Sequence, residues 1–257
     1  MISMPTVLVD SKDPRTTILA LNRPERRNAL TIELMTELVA AIEIAAQNAN
    51  RRVLVLRGEG AAFCTGLDLN EVSEAQKAHA SAEMVAKMLL TVSQTRLVTI
   101  AAVHGAAVAG GAGLMSACDF VVAAEKTKIG YPEVRRGLVA GLVMTFLRRQ
   151  LRERDARELL LAGELFDAAH AKEIGLVNRV VAREQLDAEV EKIVASVIQG
   201  APQALANSKR LLEELWSTRV SQDVERALRH HMQARESDEA KEGVAAFLEK
   251  RPPRWAS

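Results

Sequence analysis

The stretch LVTIAAVHGAAVAGGAGLMSACDFVVAA, residues 97–124, decides the fold class of this chain. Its first seven residues form an apolar run typical of a strand buried on both faces, and residues 119–124 form a second such run. The segment between them, GAAVAGGAG at residues 105–113, is built from small residues and indicates a turn from strand to helix. Strands that alternate with helices, without hairpin turns, predict a largely parallel sheet and therefore an α/β fold.

The flanking segments extend this pattern in both directions. Residues 6–9 and 16–21 are short β-rich runs, and the intervening SKDP sequence predicts a hairpin. Towards the middle of the chain we expect a helix over residues 31–50 with Thr31 as its N-cap, a buried strand over residues 52–56, and a loop at residues 61–68 followed by a mostly polar helical stretch to residue 88.

The second half of the chain has almost wholly helical patterns. The predicted helices cover residues 153–162, 168–173, 183–199, 220–234 and 239–249. Gly175 ends one of these helices, and Pro202 begins a further one. We therefore divide the chain into an α/β core at residues 1–186 and a helical C-terminal region at residues 187–257.

Composition excludes several classes of function. A net charge of +1 and an aromatic content of 3% give no electrostatic or stacking footprint for nucleic acid. No apolar run is long enough to span a bilayer, and the first ten residues lack the pattern of a secretory signal. Cys64 and Cys118 lie far apart, so we expect small buried thiols in a reducing, cytoplasmic setting. The five histidines lack metal-ligand spacing, so no metal is expected.

Two glycine-containing segments could serve either catalysis or packing. The run at residues 105–113 is neither a GxGxxG motif nor a phosphate loop, yet its bare N–H groups could meet an anionic oxygen. Its structural alternative is close packing of a helix on the sheet. In FCTGLDL, residues 63–69, Asp68 fits the first turn of a helix, and Leu67 would matter through its N–H group.

Two charged segments are equally ambiguous when each is taken alone. In YPEVRRG, residues 131–137, Pro132 fits the first helical position and Glu133 an early turn, where glutamate is also a common surface residue. The basic sequence NRPERRN, residues 22–28, is either a solvated turn or a clamp for phosphates.

Taken together and in this order, the segments resemble the crotonase, or enoyl-CoA hydratase/isomerase, superfamily over nearly the whole chain. ILALNRPERRNAL at residues 18–30 resembles the opening signature of the family, and FCTGLDL resembles its F-x-x-G-x-D-L loop. VHGAAVAGG at residues 103–111 and the pair Cys118 and Asp119 resemble the V-N-G-x-x-x-G-G-G segment and its C-D end. EGVAAFLEKR at residues 242–251 resembles the C-terminal signature. Five matches in register make the resemblance specific.

The resemblance implies a crotonase-like (ClpP/crotonase) α/β fold of repeated β-β-α units. It also implies a helical C-terminal region that forms a homotrimer, often paired into a hexamer. The substrate would be an acyl-CoA thioester, with no cofactor because coenzyme A is part of the substrate. The family's chemistry passes through a thioester enolate, which needs preorganised donors where charge develops. The resemblance assigns that role to the N–H groups of Leu67 and Gly110, and the acid/base role to Glu133.

The resemblance also implies a set of substrate-binding residues. Arg26 and Arg27 fall on the loop at which coenzyme A enters, and Phe247 and Lys250 match positions that contact its adenine–phosphate end, often from a neighbouring subunit. The remaining substrate-binding positions are Gly66, Asp68, Leu69, Gly111 and Gly113.

The chain departs from the family pattern at three positions. Gly113 stands where hydratases usually have the first of two glutamates, His104 stands where asparagine is usual, and Ala109 stands where the first glycine of GGG is usual. We expect an enoyl-CoA hydratase. The alternatives are an enoyl-CoA isomerase that shuttles a proton with Glu133 alone, favoured by the vacancy at Gly113, and a non-catalytic acyl-CoA-binding or RNA-associated member.

Overall fold

The structure, a computed structural model, describes residues 4–72 and 75–256. The strands are β1 (Val7–Asp10), β2 (Thr16–Leu21), β3 (Val53–Gly58), β4 (Val98–Val103), β5 (Ala106–Val108), β6 (Phe120–Ala124), β7 (Lys128–Gly130), β8 (Leu165–Asp167) and β9 (Arg179–Val181). The α-helices are α1 (Ile32–Gln47), α2 (Leu69–Val72), α3 (Ala75–Gln94), α4 (Gly110–Ser116), α5 (Gly141–Gln150), α6 (Glu153–Ala162), α7 (Ala168–Glu173), α8 (Leu186–Val197), α9 (Pro202–Glu214), α10 (Val220–Arg235) and α11 (Asp238–Leu248). Short 3₁₀ helices occupy Pro24–Arg26, Pro132–Arg136, Arg183–Gln185 and Arg254–Ala256.

A six-stranded sheet in the order β1-β2-β3-β4-β6-β9 forms the centre of the molecule. The first two strands pair antiparallel as the predicted hairpin, and each later neighbour pairs in parallel. A second sheet of three short strands, in the order β5-β7-β8, stands beside it. The predicted α/β class and the largely parallel sheet are therefore confirmed.

The apolar runs of β3 and β4 are continuous because both faces of the main sheet are buried. Successive side chains of a strand point to opposite faces. Leu54 and Leu56 of β3 thus pack into the larger hydrophobic core, whereas Val53 and Val55 pack on the other face with α8. A strand buried on both sides needs apolar residues at every position, which is the pattern seen in the sequence.

Several predicted elements are confirmed with shifted ends. Thr31 caps α1 by accepting a hydrogen bond from the Leu34 N–H (3.2 Å), and Gly175 follows α7 with φ of 88°. The polar helical stretch runs to residue 94 instead of 88 because its apolar face continues into the larger core. Cys64 and Cys118 are free and buried, as expected.

Two predictions from the sequence pattern were wrong, and one helix was missed. The segment at residues 105–113 is not a simple turn, because β5 forms there and pairs with β7. Pro132 and Glu133 do open a helix as predicted, the 3₁₀ helix Pro132–Arg136. The second half is not almost wholly helical, since it contributes β8 and β9; these strands are three residues long and show no clear alternation. The sequence reading also missed α5.

The C-terminal helices use their apolar residues in two different ways. Val220 and Val224 of α10 are buried against α5 and α3 of the same chain. The large apolar side chains at the end of α9 and just after it are exposed: Leu211, Leu212, Leu215 and Trp216. The division of the chain at residue 187 stays a prediction.

Across residues 4–72 and 75–256, no helix combines the length and the hydropathy needed to cross a membrane.

Candidate active site

Two loops at the same edge of the main sheet form one wall of a cavity. β3 and β4 are parallel neighbours, so the loops that follow their carboxyl ends start side by side, as ligand-binding loops do in open α/β sheets. The Cys64 N–H donates to the Ala106 carbonyl (3.1 Å), and the Val108 N–H donates to the Cys64 carbonyl (3.0 Å). These hydrogen bonds hold the two loops together.

The N–H groups of Leu67 and Gly110 are brought together at this edge. Leu30 pairs with both neighbours of Leu67: its N–H donates to the Gly66 carbonyl (2.8 Å), and its carbonyl accepts from the Asp68 N–H (2.9 Å). The Leu67 nitrogen lies 3.9 Å from the point where a Cβ of Gly110 would stand. Within the described residues neither N–H has an acceptor, so both are available to a ligand oxygen.

Glycine at position 66 is required by both conformation and space. Its φ is +91°, a region that side chains rarely adopt. A Cβ at this position would also lie 3.0 Å from the Ala109 Cβ and 3.4 Å from the Gly110 nitrogen. Gly66 therefore lets the two loops approach closely enough to align the two N–H groups.

Ala109 has a strained backbone, with φ of +51° and ψ of −124°. Such a conformation costs a residue with a Cβ about 1–3 kcal/mol, whereas glycine adopts it freely. The strain explains why glycine is usual at this position of the family pattern.

We expect Ala109→Gly to raise the free energy of unfolding by about 1 kcal/mol, because relief of strain exceeds the added entropy of the unfolded chain. Urea unfolding of the two proteins measures the difference. Ala107→Gly is the matched control, since Ala107 is buried in β5 without a positive φ and should be destabilised by this change. Equal losses of stability in the two variants would show that Ala109 is not strained.

Glu133 is held in the cavity by a rigid support. Tyr131 is fully buried, and its hydroxyl donates to Ser116 Oγ (2.8 Å), which in turn donates to the Ala112 carbonyl (2.9 Å) of α4. Pro132 fixes the start of the 3₁₀ helix, and the Leu138 N–H donates to the Glu133 carbonyl (3.0 Å). The backbone of Glu133 thus has a fixed position relative to the helix that Gly110 begins.

The Glu133 carboxyl has the properties of an acid/base. Glu133 is only 9% exposed, and its Oε2 has no hydrogen-bond partner within the described chain. Burial raises the pKa of Glu133 to about 7, although a backbone hydrogen bond and the charge of Arg136 oppose this shift. A carboxyl with a pKa near neutrality can both accept and return a proton under physiological conditions.

A cavity of about 620 Å³ joins these groups, a volume typical of small-molecule sites. Leu67, Gly110 and Glu133 all line it, together with the predicted binding residues Arg26, Arg27, Asp68, Leu69 and Phe247. The Asp68 carboxylate is engaged by Arg23 (3.0 Å), so it orders the loop. Over the described ranges, no cluster of three or more His, Cys, Asp or Glu could hold a metal ion.

Four of the predicted binding residues lie outside the lining of this cavity. Gly66 acts through its backbone, as described above, and Lys250 is exposed beyond the end of α11. Gly111 and Gly113 are buried in α4. A Cβ on Gly111 would lie 2.2 Å from the Cys64 carbonyl oxygen, so this glycine serves packing between the loops.

The space beside Gly113 is occupied by Val143 of α5. A Cβ on Gly113 would lie 2.2 Å from Val143 Cγ1 and 3.0 Å from Val143 Cβ. Because valine is stiff at χ1 and its Cβ is also too close, relief of this contact requires α4 and α5 to move apart. The position that carries a second glutamate in the usual pattern is therefore closed, and Glu133 is the one buried carboxylate lining the cavity in the described part of the chain.

Part of the cavity lining was not singled out from the sequence. The segment after the 3₁₀ helix contributes Leu138, Val139, Ala140, Leu142 and Val143, and α10 contributes His231 and Arg235. The segment lies in α5 and the loop before it, for which no pattern was recognised. Neither residue of α10 has a motif around it, so no local signal could have identified them.

Comparison with known proteins agrees with this geometry. The enoyl-CoA hydratase/isomerase family model matches residues 16–257. A Thermus thermophilus protein whose name suggests an enoyl-CoA hydratase is 38% identical over 243 residues, 93% of this chain and 96% of that protein. A probable enoyl-CoA hydratase of Rhizobium meliloti is 36% identical over 257 residues, 97% of each chain.

A solved structure extends the likeness to three dimensions. The crystal structure of an enoyl-CoA hydratase from Mycobacterium avium superposes with a TM-score of 0.88 at 35% identity, and the match covers 98% of this chain and 100% of that one. The crotonase-like fold expected from the sequence is confirmed by this match. With a family model that covers residues 16–257 and relatives that span nearly its full length, the chain belongs to the enoyl-CoA hydratase/isomerase family.

Proposed function

We propose that this protein adds water to, or removes it from, 2-enoyl-CoA thioesters through an enolate intermediate. Membership of the family implies an acyl-CoA thioester substrate. The observation that carries the proposal is that a buried carboxyl, Glu133, shares one cavity with the two unpaired N–H groups of Leu67 and Gly110. The N–H pair would bind the thioester oxygen as it gains negative charge, and Glu133 would exchange the proton at C2.

The proposed binding mode follows from the cavity walls. Arg26 and Arg27 are exposed at the cavity and would bind the phosphates of coenzyme A. Phe247 reaches the cavity from α11 of the same chain, where its ring stacks on the Arg136 guanidinium. The adenine contact expected of Phe247 and of exposed Lys250 would then be made to coenzyme A bound by a neighbouring subunit. The reaction requires no cofactor, because coenzyme A belongs to the substrate, and we place the protein in the cytoplasm without a nucleic-acid or membrane partner.

A second candidate, isomerisation of 3-enoyl to 2-enoyl thioesters, is favoured by the contact between Gly113 and Val143. This contact leaves no room for a second carboxylate that would orient water. A single carboxylate can remove a proton from C2 and return it to C4.

Incubation of the purified protein with 2-enoyl- and 3-enoyl-CoA thioesters distinguishes these functions, with products identified by chromatography and mass spectrometry. A 3-hydroxyacyl product supports the hydratase, and a moved double bond supports the isomerase. Binding without turnover across several chain lengths would refute both proposals and favour the non-catalytic alternative.

The pH dependence of proton abstraction should report the state of Glu133. Because its pKa is raised to about 7, the basic carboxylate form is lost as the pH falls through 7. We expect kcat/KM for removal of the C2 proton to rise with pH around an apparent pKa of about 7 and then to level off. Exchange of the C2 proton with deuterated solvent measures this step. A midpoint near 4.5 would contradict a desolvated Glu133 in the working enzyme.

We further propose that the protein assembles as a homotrimer or a hexamer. The exposed side chains Leu211, Leu212, Leu215 and Trp216 form an apolar patch on and after α9, and patches of this kind favour burial in an interface. A monomer in light scattering at micromolar concentration would contradict this assembly.

A further inference from the structure

The cavity is lined by more cationic side chains than the proposed reaction needs. Arg136 lines it in addition to Arg26 and Arg27, whereas Asp68 is paired with Arg23 and Glu133 has a raised pKa. A cation held in a partly buried site loses part of its hydration. A ligand group of opposite charge would therefore be favoured there.

Arg136 and its neighbour Arg135 have different surroundings. Arg135 is exposed, donates to the Ala162 carbonyl (3.1 Å) and pairs with Glu164 (3.3 Å), and it does not line the cavity. Arg136 lines the cavity, its Nε has no hydrogen-bond partner, and no carboxylate of the described residues lies within 4 Å of its guanidinium. Of the two arginines, Arg136 is thus the one that can meet a ligand.

Arg136 is fixed in place before a ligand arrives. Its backbone packs against Gly243 of α11, where an added Cβ would lie 2.3 Å from the Arg136 carbonyl oxygen. One turn further along α11, the Phe247 ring lies under the guanidinium, 4.4 Å from its carbon to the ring centroid. The ring covers one face of the guanidinium and Nε is buried, so the two Nη groups are the donors left to bind a carboxylate.

The position of Arg136 relative to Glu133 indicates which part of the substrate it meets. The two residues are three apart in a 3₁₀ helix, where residues i and i+3 lie above one another, about 6 Å apart along the axis. The groups that exchange a proton with Glu133 are the carbons next to the thioester. The phosphates of coenzyme A are separated from these carbons by the long pantetheine arm, whereas a short acyl chain extends only a few bonds from them.

We propose that Arg136 binds a carboxylate on the acyl group, so that the preferred substrates are thioesters of coenzyme A with dicarboxylic acids. This inference rests on the proposed function, because it places the thioester carbons at Glu133. The Arg136 guanidinium could instead bind a phosphate of coenzyme A. The experiment must distinguish this possibility, because Phe247, on which Arg136 stacks, matches a position that contacts the adenine–phosphate end.

Binding of two unreactive thioesters of equal chain length tests the proposal. Glutaryl-CoA ends in a carboxylate and valeryl-CoA in a methyl group, while their coenzyme A parts are identical. Calorimetry with the wild-type protein should show glutaryl-CoA bound about 10- to 100-fold more tightly, the effect of a hydrogen-bonded charge pair. This ratio should fall towards one in Arg136→Gln and stay at the wild-type value in the matched control Arg135→Gln.

Each contrary result has a separate meaning. A wild-type ratio of one or less, with valeryl-CoA bound, overturns the role of Arg136 whether or not any variant folds, and it leaves the proposed function standing. Equal weakening of both thioesters in Arg136→Gln assigns the residue to a phosphate and also overturns the proposal. Binding of neither thioester to the folded wild-type protein refutes the proposed function itself.

Discussion

Replacement of Glu133 by glutamine is expected to lower kcat by about 10²–10⁴-fold, the usual contribution of a positioned acid/base. The amide keeps the shape of the carboxyl but cannot take up or return a proton. Its support through Tyr131 and Ser116 involves neither side-chain oxygen of Glu133, so the cavity should keep its form. Turnover of 2-enoyl- and 3-enoyl-CoA thioesters measures the loss, and undiminished activity would remove Glu133 from the mechanism.

The same substitution should change how stability depends on pH. The folded-state pKa of Glu133, about 7, is above the ordinary value of 4.5, so folding disfavours the charged form. This penalty is absent below pH 4.5, grows between pH 4.5 and 7, and is complete above pH 7. The difference in unfolding free energy between the glutamine variant and wild type should therefore shift in favour of the variant by about 1–3 kcal/mol from pH 4 to pH 8.

Urea unfolding of both proteins at the two pH values gives this difference. The surface variant Glu164→Gln is a suitable control, because that side chain is 76% exposed and pairs with Arg135 outside the cavity. It should retain activity and show little of the pH effect. A pH-independent difference between wild type and Glu133→Gln would mean that the carboxyl is well solvated.

Gly113→Glu is expected to destabilise the protein by about 3–5 kcal/mol, because it adds volume and a carboxyl to a filled, apolar site. The contact of a Cβ with Val143 at 2.2 Å means that the single substitution cannot by itself place a catalytic carboxylate in the cavity. The sequence pattern alone indicates a vacancy at this position, and the structure shows that Val143 fills it.

A double-mutant cycle separates the steric effect from the chemical one. Gly113→Ala and Val143→Ala should each destabilise, one by overpacking and the other by a cavity, whereas the double variant should lose less than their sum. Simple additivity would show that the two residues are not in contact.

The double variant Gly113→Glu with Val143→Ala tests the chemical effect. We expect it to have a higher ratio of hydration to isomerisation than Val143→Ala alone. An unchanged ratio would indicate that the second carboxylate does not limit hydration.

The sequence indicated the catalytic candidates because each lies in a short motif. The strand-exit loop at residues 63–69 and the small-residue run at residues 105–113 follow adjacent parallel strands, so Leu67 and Gly110 had to approach one another. Glu133 follows Pro132 in a motif that resembles the family at a fixed place in the chain. Each segment alone also fitted a structural role, and only the resemblance of the segments taken together assigned the catalytic roles. The main sheet explains why the two loops meet, because it fixes where they begin.

Other features depended on contacts between segments far apart in the chain. The sequence reading could not choose between Arg135 and Arg136, because adjacent residues of a 3₁₀ helix point in directions that only the packing of α11 identifies. Val143 against Gly113, and His231 against the Val139 carbonyl (Nδ1 to oxygen, 3.1 Å), are likewise pairs without a local signal.

The sequence by itself determined the α/β class, five of the six strands of the main sheet and, through its motifs, the family, because buried strands, helix caps and strand-exit loops are set by residues close together in the chain. Only the tertiary structure decided the raised pKa of Glu133, the closed space at Gly113 and the exposure of Arg136 to the cavity. These properties arise from desolvation and steric contact, which depend on what the rest of the fold places around a residue.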